Sequence, residues 1–216
     1  MALILVANSK GGCGKSTIAT NIASILAGTK GDVLLADADR QITASMWAHE
    51  RKQAYPDHPK INSVVLYGDL YDSLKDLDSR YSYVVVDAAG HDSVEMRSGM
   101  KACDILLMPF RPSNPDLATL PKMAEMVKDS KRVNPPMKAF AFINSAPTNR
   151  RDAVFACEVL AEYHDIFTVL ETTIHDRRIF RDAMAEGLGV IEMAGKSDSD
   201  NNARAEINGL MQEIMK

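Results

Sequence analysis

Residues 3–17 read Leu-Ile-Leu-Val-Ala-Asn-Ser-Lys-Gly-Gly-Cys-Gly-Lys-Ser-Thr, and this stretch decides the fold of the chain. An apolar run typical of a buried strand leads into a glycine-rich loop, and a helix-forming segment follows at residues 18–27. Strand, glycine-rich loop and helix form the context of a phosphate-binding loop. Glycines let successive backbone N–H groups turn toward one anion, and the N-terminus of the helix adds its positive dipole end. We therefore expect Lys15 to reach the β- and γ-phosphates and Ser16 to contact Mg²⁺.

The loop departs from the usual phosphate-loop pattern, because Ser9 stands where a glycine is expected six residues before Lys15. Instead, Lys10 opens the pattern Lys-Gly-Gly-x-Gly-Lys-Ser-Thr. This is the deviant Walker A motif of the ParA/MinD family of partitioning and positioning ATPases. The sequence resembles that family over nearly its whole length, and most of all the small partition ATPases such as ParF. The resemblance implies that the following residues bind ATP: Lys10, Gly11, Gly12, Cys13, Gly14, Lys15, Ser16, Thr17 and Asn144.

Composition sets bounds on the class of protein. The 216 residues, 46% hydrophobic and 25% charged, predict a single α/β domain over residues 1–216. No apolar run approaches the roughly 20 residues of a membrane span, and no basic segment precedes the first apolar run, so we expect neither a membrane anchor nor a signal peptide. Three scattered cysteines fit a reducing cytosol. The net charge of −4 means that binding to nucleic acid would need a local basic patch.

Acidic residues end two apolar runs further along the chain. Asp37 ends the predicted strand at 32–37 and Asp39 follows two residues later, while Asp87 ends the run at 81–87. Ligands of open α/β sheets bind at the carboxyl ends of strands, although a solvated turn is an alternative for the first pair. By resemblance, Asp37 supports the Mg²⁺ shell, Asp39 positions or activates the attacking water, and Asp87 holds Mg²⁺ through water as a Walker B residue. Arg40 replaces the proline that the family carries here.

Two further groups are candidates for binding. Asn144 ends the predicted strand at 139–144, where an amide can pair with an adenine edge. The family uses the corresponding asparagine in this way, and a turn-initiating asparagine is the alternative. Arg177, Arg178 and Arg181 form the densest basic cluster near a predicted helix start, and they either contact DNA phosphates or form a solvated helix face.

Three other residues invite a functional interpretation, and we favour a simpler one for each. Cys13 is expected to act as a spacer, although a helix N-terminus and two lysines could lower its pKa for redox chemistry. His91 is expected to be a mobile residue of the loop that senses the γ-phosphate, and Trp47 to be a packing residue. The C-terminal helix predicted at 203–215 has no positive excess, so it is expected to dock on its own domain rather than on lipid.

Strands alternate with helices along the chain, which predicts a doubly wound, mostly parallel sheet flanked by helices. The resemblance implies a cytoplasmic, nucleoid-associated ATPase that dimerises on ATP, with Lys10 reaching the partner's phosphates. It also implies non-specific DNA binding, and hydrolysis stimulated by a ParB-like protein or cargo adaptor, so that plasmid or chromosomal DNA is segregated. Alternatives are the same cycle applied to a protein cargo such as a carboxysome or chemotaxis cluster, a metabolic P-loop ligase or kinase, and a nucleotide switch without hydrolysis.

Overall fold

The fold is built around a parallel β-sheet. The computed structural model describes residues 2–29, 31–147, 150–195 and 197–216. The strands within those ranges are β1 (Ala2–Val6), β2 (Val33–Ala38), β3 (Ile61–Val65), β4 (Tyr83–Ala88), β5 (Ile105–Phe110), β6 (Lys138–Ile143) and β7 (Thr168–Val169). In the described ranges they form one sheet in the order β3-β2-β4-β1-β5-β6-β7, and every pairing is parallel. The predicted α/β class is confirmed.

Helices cover both faces of the sheet. Their bounds are α1 (Lys15–Gly28), α2 (Thr43–Ala54), α3 (Tyr71–Arg80), α4 (Val94–Ala102), α5 (Asn114–Leu117), α6 (Leu120–Val133), α7 (Arg150–Ala161), α8 (Arg178–Ala185) and α9 (Asp198–Ile214). Successive side chains of a strand point to opposite faces. Accordingly, Leu3 and Leu5 of β1 pack with α3, α4, α6 and α7, whereas Ile4 and Val6 pack with α1, α2, α8 and α9. Both sides of the central strands are therefore buried, as in a doubly wound fold.

The boundaries differ from the sequence prediction in three places. Helix α4 was not predicted, and its start is set by Ser93, whose hydroxyl accepts a hydrogen bond from the Met96 N–H. Helix α9 begins at Asp198 rather than at residue 203, because Ser197 caps it in the same way. Residues 166–174, whose sequence predicts an extended segment, contain only the two-residue strand β7, although the Ile174 N–H still donates to the Ile143 carbonyl.

The C-terminal helix docks on its own chain, as predicted. Ile207, Leu210 and Ile214 of α9 are buried against the α1 face of the sheet. Trp47 is also buried there, and its indole N–H donates to the Leu188 carbonyl, in agreement with a packing role. No helix within the described ranges combines the length and apolar character needed to cross a bilayer.

Candidate functional site

The glycine-rich loop joins the carboxyl end of β1 to the start of α1 at the centre of the sheet. Gly12 and Gly14 adopt φ angles of +78° and +89°, a region that side-chain-bearing residues rarely occupy. Gly14 is the N-cap of α1 and has no side chain to occupy the first free N–H groups of the helix. The loop therefore leaves those donors, and the positive end of the helix dipole, open to an anion.

Two buried asparagines make hydrogen bonds to the loop, Asn8 at its start and Asn144 in its middle. The Asn8 amide donates to the Pro109 carbonyl at 2.7 Å, and its Oδ1 accepts from the Lys10 N–H at 3.0 Å. The Asn144 amide donates to the Cys13 carbonyl at 2.7 Å. Asn144 is only 4% exposed, and it lines the cavity beside the loop. The structure thus gives Asn144 a loop-holding contact, and contact with an adenine edge stays a prediction.

The two lysines of the motif lie in different environments. Lys15 is buried, and its ammonium donates to the Lys10 carbonyl at 3.0 Å, inside the loop. Lys10 is half-buried, and its ammonium has no hydrogen-bond or ion-pair partner within the part of the chain that the structure describes. The main chain of Lys10 is therefore engaged while its side chain is available, which is the arrangement expected of a residue that acts outside its own loop.

Three aspartates lie at or just after the carboxyl ends of β2 and β4. Asp37 of β2 lies opposite Asp87 of β4 in the parallel register. Asp37 accepts hydrogen bonds from the N–H groups of Ser45 and Asp39, at 2.8 and 3.1 Å, yet burial still raises its pKa. Asp39 is half-exposed and lines the cavity, as a residue that orients water there must. The predicted convergence of these strand ends is therefore present.

Asp87 is the most unusual of the three. It is fully buried, and neither carboxylate oxygen has a hydrogen-bond partner among the described residues. Burial raises its pKa to about 7, and the Asp37 carboxylate adds to the rise, while the nearby Ser16 hydroxyl and Lys15 ammonium lower it. A buried carboxylate without hydrogen-bond partners is costly unless a proton or a bound cation neutralises it. Hard oxygen ligands of this kind fit Mg²⁺.

A cavity of about 820 Å³ opens from the loop along the carboxyl edge. It is lined by the glycine-rich loop, Asp39 and the exposed His91. Three apolar side chains that also line it, here named the apolar wall, are those of Ile174, Phe180 and Met184. Sequence reasoning missed this wall, because its residues come from the β7–α8 connection and α8, more than 150 residues after the loop. A volume of this size falls within the range of small-molecule and cofactor sites.

Cys13 is buried within the loop, and its thiol donates to the Lys10 carbonyl at 3.3 Å. Burial raises its pKa, and the opposing effect of Lys15 is smaller. The alternative of a redox cysteine with a lowered pKa is therefore not supported, because desolvation of the thiolate outweighs the effect of Lys15. The result supports the spacer interpretation.

The loop after β4 touches the phosphate loop directly. A Cβ built on Gly90 would lie 2.6 Å from the Gly11 Cα and 3.0 Å from the Lys15 ammonium, so no larger residue fits without displacement. Two residues later, the Asp92 carboxylate forms ion pairs with Arg97 of α4 at 2.6 Å and with Lys122 of α6 at 3.0 Å. These contacts connect the loop to both helices. These ion pairs lower the pKa of Asp92. This segment therefore connects the cavity to two helices of the opposite sheet face.

A family model and a curated relative match nearly the whole chain. The family model described as the CobQ/CobB/MinD/ParA nucleotide binding domain matches residues 4–190. The chain belongs to this family. Maintenance of carboxysome distribution protein A from Halothiobacillus neapolitanus is 34% identical over 220 residues, covering 98% of this chain and 95% of that relative.

Two solved structures show the same fold as this CobQ/CobB/MinD/ParA family chain. Apo McdA from Cyanothece superposes with a TM-score of 0.79 at 16% identity, over 100% of both chains. An ATP complex of a McdA variant from the same genus superposes with a TM-score of 0.73 at 16% identity, over 98% of this chain and 96% of that one. The predicted membership of the ParA/MinD family and the predicted sheet architecture are thus both confirmed.

The basic cluster of this family member is largely neutralised by neighbouring acids. Arg177 is 14% exposed and pairs with Glu206 of α9 at 2.7 Å. Arg178 pairs with Asp182 at 3.2 Å, and Arg181 pairs with Asp176 at 2.6 Å. Arg177 therefore helps to hold α9, whereas only the other two guanidinium groups lie on the surface. Contact of the cluster with DNA stays a prediction.

Proposed function

We propose that the chain is a Mg²⁺-dependent ATPase whose ATP-bound dimer binds DNA non-specifically and positions a cargo along the nucleoid. The observation that carries the proposal is the buried, unpartnered Asp87 beside an anion-binding loop that holds two lysines. A phosphate site next to an uncompensated carboxylate suits a nucleotide that arrives with a divalent cation.

The proposal gives each residue of the site a role. The backbone N–H groups from Gly11 to Thr17 hold the phosphates, and Lys15 leaves the Lys10 carbonyl to bind the β- and γ-phosphates. Ser16, Asp37 and Asp87 fit Mg²⁺ as direct or water-mediated partners, and the bound ion would neutralise charge that develops on the phosphate oxygens. Asp39 holds the attacking water in line with the γ-phosphate. The apolar wall around Phe180 receives the base, with Asn144 at its edge.

Lys10 is assigned to the neighbouring subunit. Its backbone is fixed in the loop and its ammonium has no partner within the described residues, so it is available to phosphates held by a second copy of the chain. Because each subunit would complete the other's site, ATP would favour a face-to-face homodimer. Hydrolysis would remove the γ-phosphate contact and release the pair, and a ParB-like protein or cargo adaptor would accelerate that step.

The cargo we favour is a protein assembly such as the carboxysome, rather than a plasmid or chromosome. The support is the 34% identity, over nearly the full length of both chains, to a relative named for carboxysome distribution. DNA segregation by the same cycle is the second candidate, supported by 30% identity over 112 residues to a Rhizobium radiobacter protein named ParA.

The decisive experiment measures DNA binding with ATP, with ADP and without nucleotide, each over a series of salt concentrations. The proposal predicts binding with ATP alone that weakens steeply as salt rises, because phosphate contacts release counterions. Lys15→Ala is the matched control, since it should lose ATP and with it DNA binding. Turnover without any effect of DNA would favour a metabolic ligase or kinase, and tight ATP binding without phosphate release would favour a non-hydrolysing switch.

A further inference from the structure

We infer that Asn8 is a positioning residue that fixes the direction in which Lys10 leaves the loop toward a partner subunit. The inference rests on the proposed function, because it concerns the step that Lys10 performs between subunits. Asn8 lies two residues before Lys10, outside the Lys-Gly-Gly-x-Gly-Lys-Ser-Thr motif.

Asn8 lies where the first strand stops pairing with its neighbour. The backbone ladder between β1 and β5 ends with the Ala7 N–H, which donates to the Leu107 carbonyl at 3.0 Å. The Asn8 side chain then supplies the next contact across the same gap, to the Pro109 carbonyl at 2.7 Å. A side-chain amide thus replaces the backbone donor at the point where the chain turns away into the loop.

Both ends of this side chain are used. Asn8 is 0% exposed, and its Oδ1 accepts the Lys10 N–H while its amide donates to Pro109. Burial of an amide is unfavourable unless its hydrogen bonds are made, and an apolar side chain would pack here without that cost. The asparagine is therefore explained by the geometry it imposes rather than by packing.

The geometry it imposes is that of the Lys10 backbone. On the other side of the same residue, the Lys10 carbonyl accepts the Lys15 ammonium at 3.0 Å and the Cys13 thiol at 3.3 Å. The two peptide groups that flank the Lys10 Cα are thus held, one by Asn8 and the other by the loop itself. Since the Cα–Cβ direction follows from those two peptide planes, the origin and heading of the free lysine side chain are set.

The consequence depends on the state of the nucleotide site. When Lys15 turns to the phosphates, the Lys10 carbonyl loses its charged donor. The hydrogen bond that the Lys10 N–H donates to Asn8 Oδ1 and the weaker one from the Cys13 thiol then remain to constrain Lys10. Asn8 should therefore matter most in the ATP-bound protein. Replacing Asn8 should weaken the association of subunits and leave the affinity for ATP nearly unchanged.

A double-mutant cycle on the full chain tests this inference. Affinity for ATP with Mg²⁺ and the association constant of the ATP-dependent dimer are measured for wild type, Asn8→Ala, Lys10→Ala and the double variant. We expect Asn8→Ala to lower the dimer constant about tenfold, with ATP affinity changed by less than about threefold, since the Lys10 N–H loses its acceptor and the Pro109 carbonyl loses a donor. The same substitution should have no further effect when Lys10 is already alanine.

Two additional variants separate loss of the Asn8 contact from general destabilisation. Asn8→Asp retains an oxygen that can accept the Lys10 N–H but loses the donor to the Pro109 carbonyl, so it should keep more of the dimer constant than Asn8→Ala while being less stable than wild type. Asn8→Asp also keeps the inference testable if Asn8→Ala does not fold. Asn134→Ala is the control. The Asn134 amide donates to the Met100 and Cys103 carbonyls near the amino end of β5, so its loss should leave the dimer constant unchanged.

Several results would overturn the inference. They are additive effects of Asn8→Ala and Lys10→Ala, a loss of ATP affinity as large as the loss of dimer, or an Asn8→Asp protein that folds but associates no better than Lys10→Ala. A wild-type protein that binds no ATP, or that stays monomeric with ATP, would instead contradict the proposed function and the inference with it.

Discussion

The side-chain amide of Asn144 lies 2.7 Å from the carbonyl oxygen of Cys13, so the end of β6 is hydrogen-bonded to the middle of the phosphate loop. The amide also closes off the space above Gly14, where a Cβ would lie 2.3 Å from the Asn144 nitrogen. The loop is thus shaped from outside by a residue 131 positions away in the sequence.

Gly14→Ala is therefore expected to abolish high-affinity ATP binding. The substitution combines a φ of +89° with a contact that Asn144 cannot relieve without releasing Cys13. We expect a loss of at least about tenfold in affinity, measured with a fluorescent ATP analogue. Gly68→Ala is the control, because its φ of +80° gives the same backbone strain in open space outside the loop. Equal losses of affinity in the two variants would contradict this account.

Asp87 should make the stability of the nucleotide-free protein depend on pH. Its pKa of about 7 in the folded protein, above the ordinary 3.8, means that the folded state holds a proton that the unfolded chain releases. Stability should then fall as pH rises from about 4 to about 7, by at most about 4 kcal/mol. Thermal unfolding of wild type and Asp87→Asn across this interval checks the effect, which should shrink in the variant and in wild type with Mg²⁺ and ATP. An identical pH profile in Asp87→Asn would rule Asp87 out as its source.

Arg177 should prove structural rather than a DNA contact. Removing its side chain leaves Glu206 without its strongest partner between α8 and α9, so we expect Arg177→Ala to lose about 2 kcal/mol of unfolding free energy. Arg178, which is 85% exposed, should tolerate alanine within about 0.5 kcal/mol. Urea unfolding compares the two directly. If Arg177→Ala were as stable as Arg178→Ala but bound DNA less well, the assignment would be reversed.

A buried ion pair should stabilise the helix that follows Asp39. Arg51 of α2 contacts both oxygens of Glu192 at 2.6 and 2.7 Å, and it also lies over the Trp47 ring. Arg51→Met leaves a mostly buried carboxylate without its cation, for an expected loss of about 3 kcal/mol. Arg80→Met breaks the exposed pair with Asp76 and should cost less than about 1 kcal/mol. Chemical denaturation of both variants measures the difference, and similar losses would contradict it.

Local patterns were enough to predict the phosphate loop, the strand-end aspartates and the parallel sheet. Each of these depends on residues close together in the chain: glycines before Lys15, or an apolar run that ends in Asp87. The family resemblance added the expectation of a role for Lys10 between subunits, which stays a prediction.

What the sequence did not indicate depends on contacts between distant segments. The partner of Asn8 is 101 residues away and that of Arg51 is 141 residues away, so nothing in their local patterns distinguishes them from surface polar residues. The apolar wall around Phe180 was hidden for the same reason. The basic cluster at Arg177 looked available in the sequence because its acidic partner, Glu206, comes from the final helix.

Sedimentation of the purified chain with ATP and Mg²⁺, with ADP and without nucleotide tests the central claim that two lysines serve two different subunits. We predict dimers with ATP alone for wild type, ATP-dependent association that is much weaker but still measurable at high protein concentration for Lys10→Ala, which still binds ATP, and monomers that do not bind ATP for Lys15→Ala. A Lys10→Ala protein that forms ATP-dependent dimers and hydrolyses ATP at the wild-type rate would contradict the account.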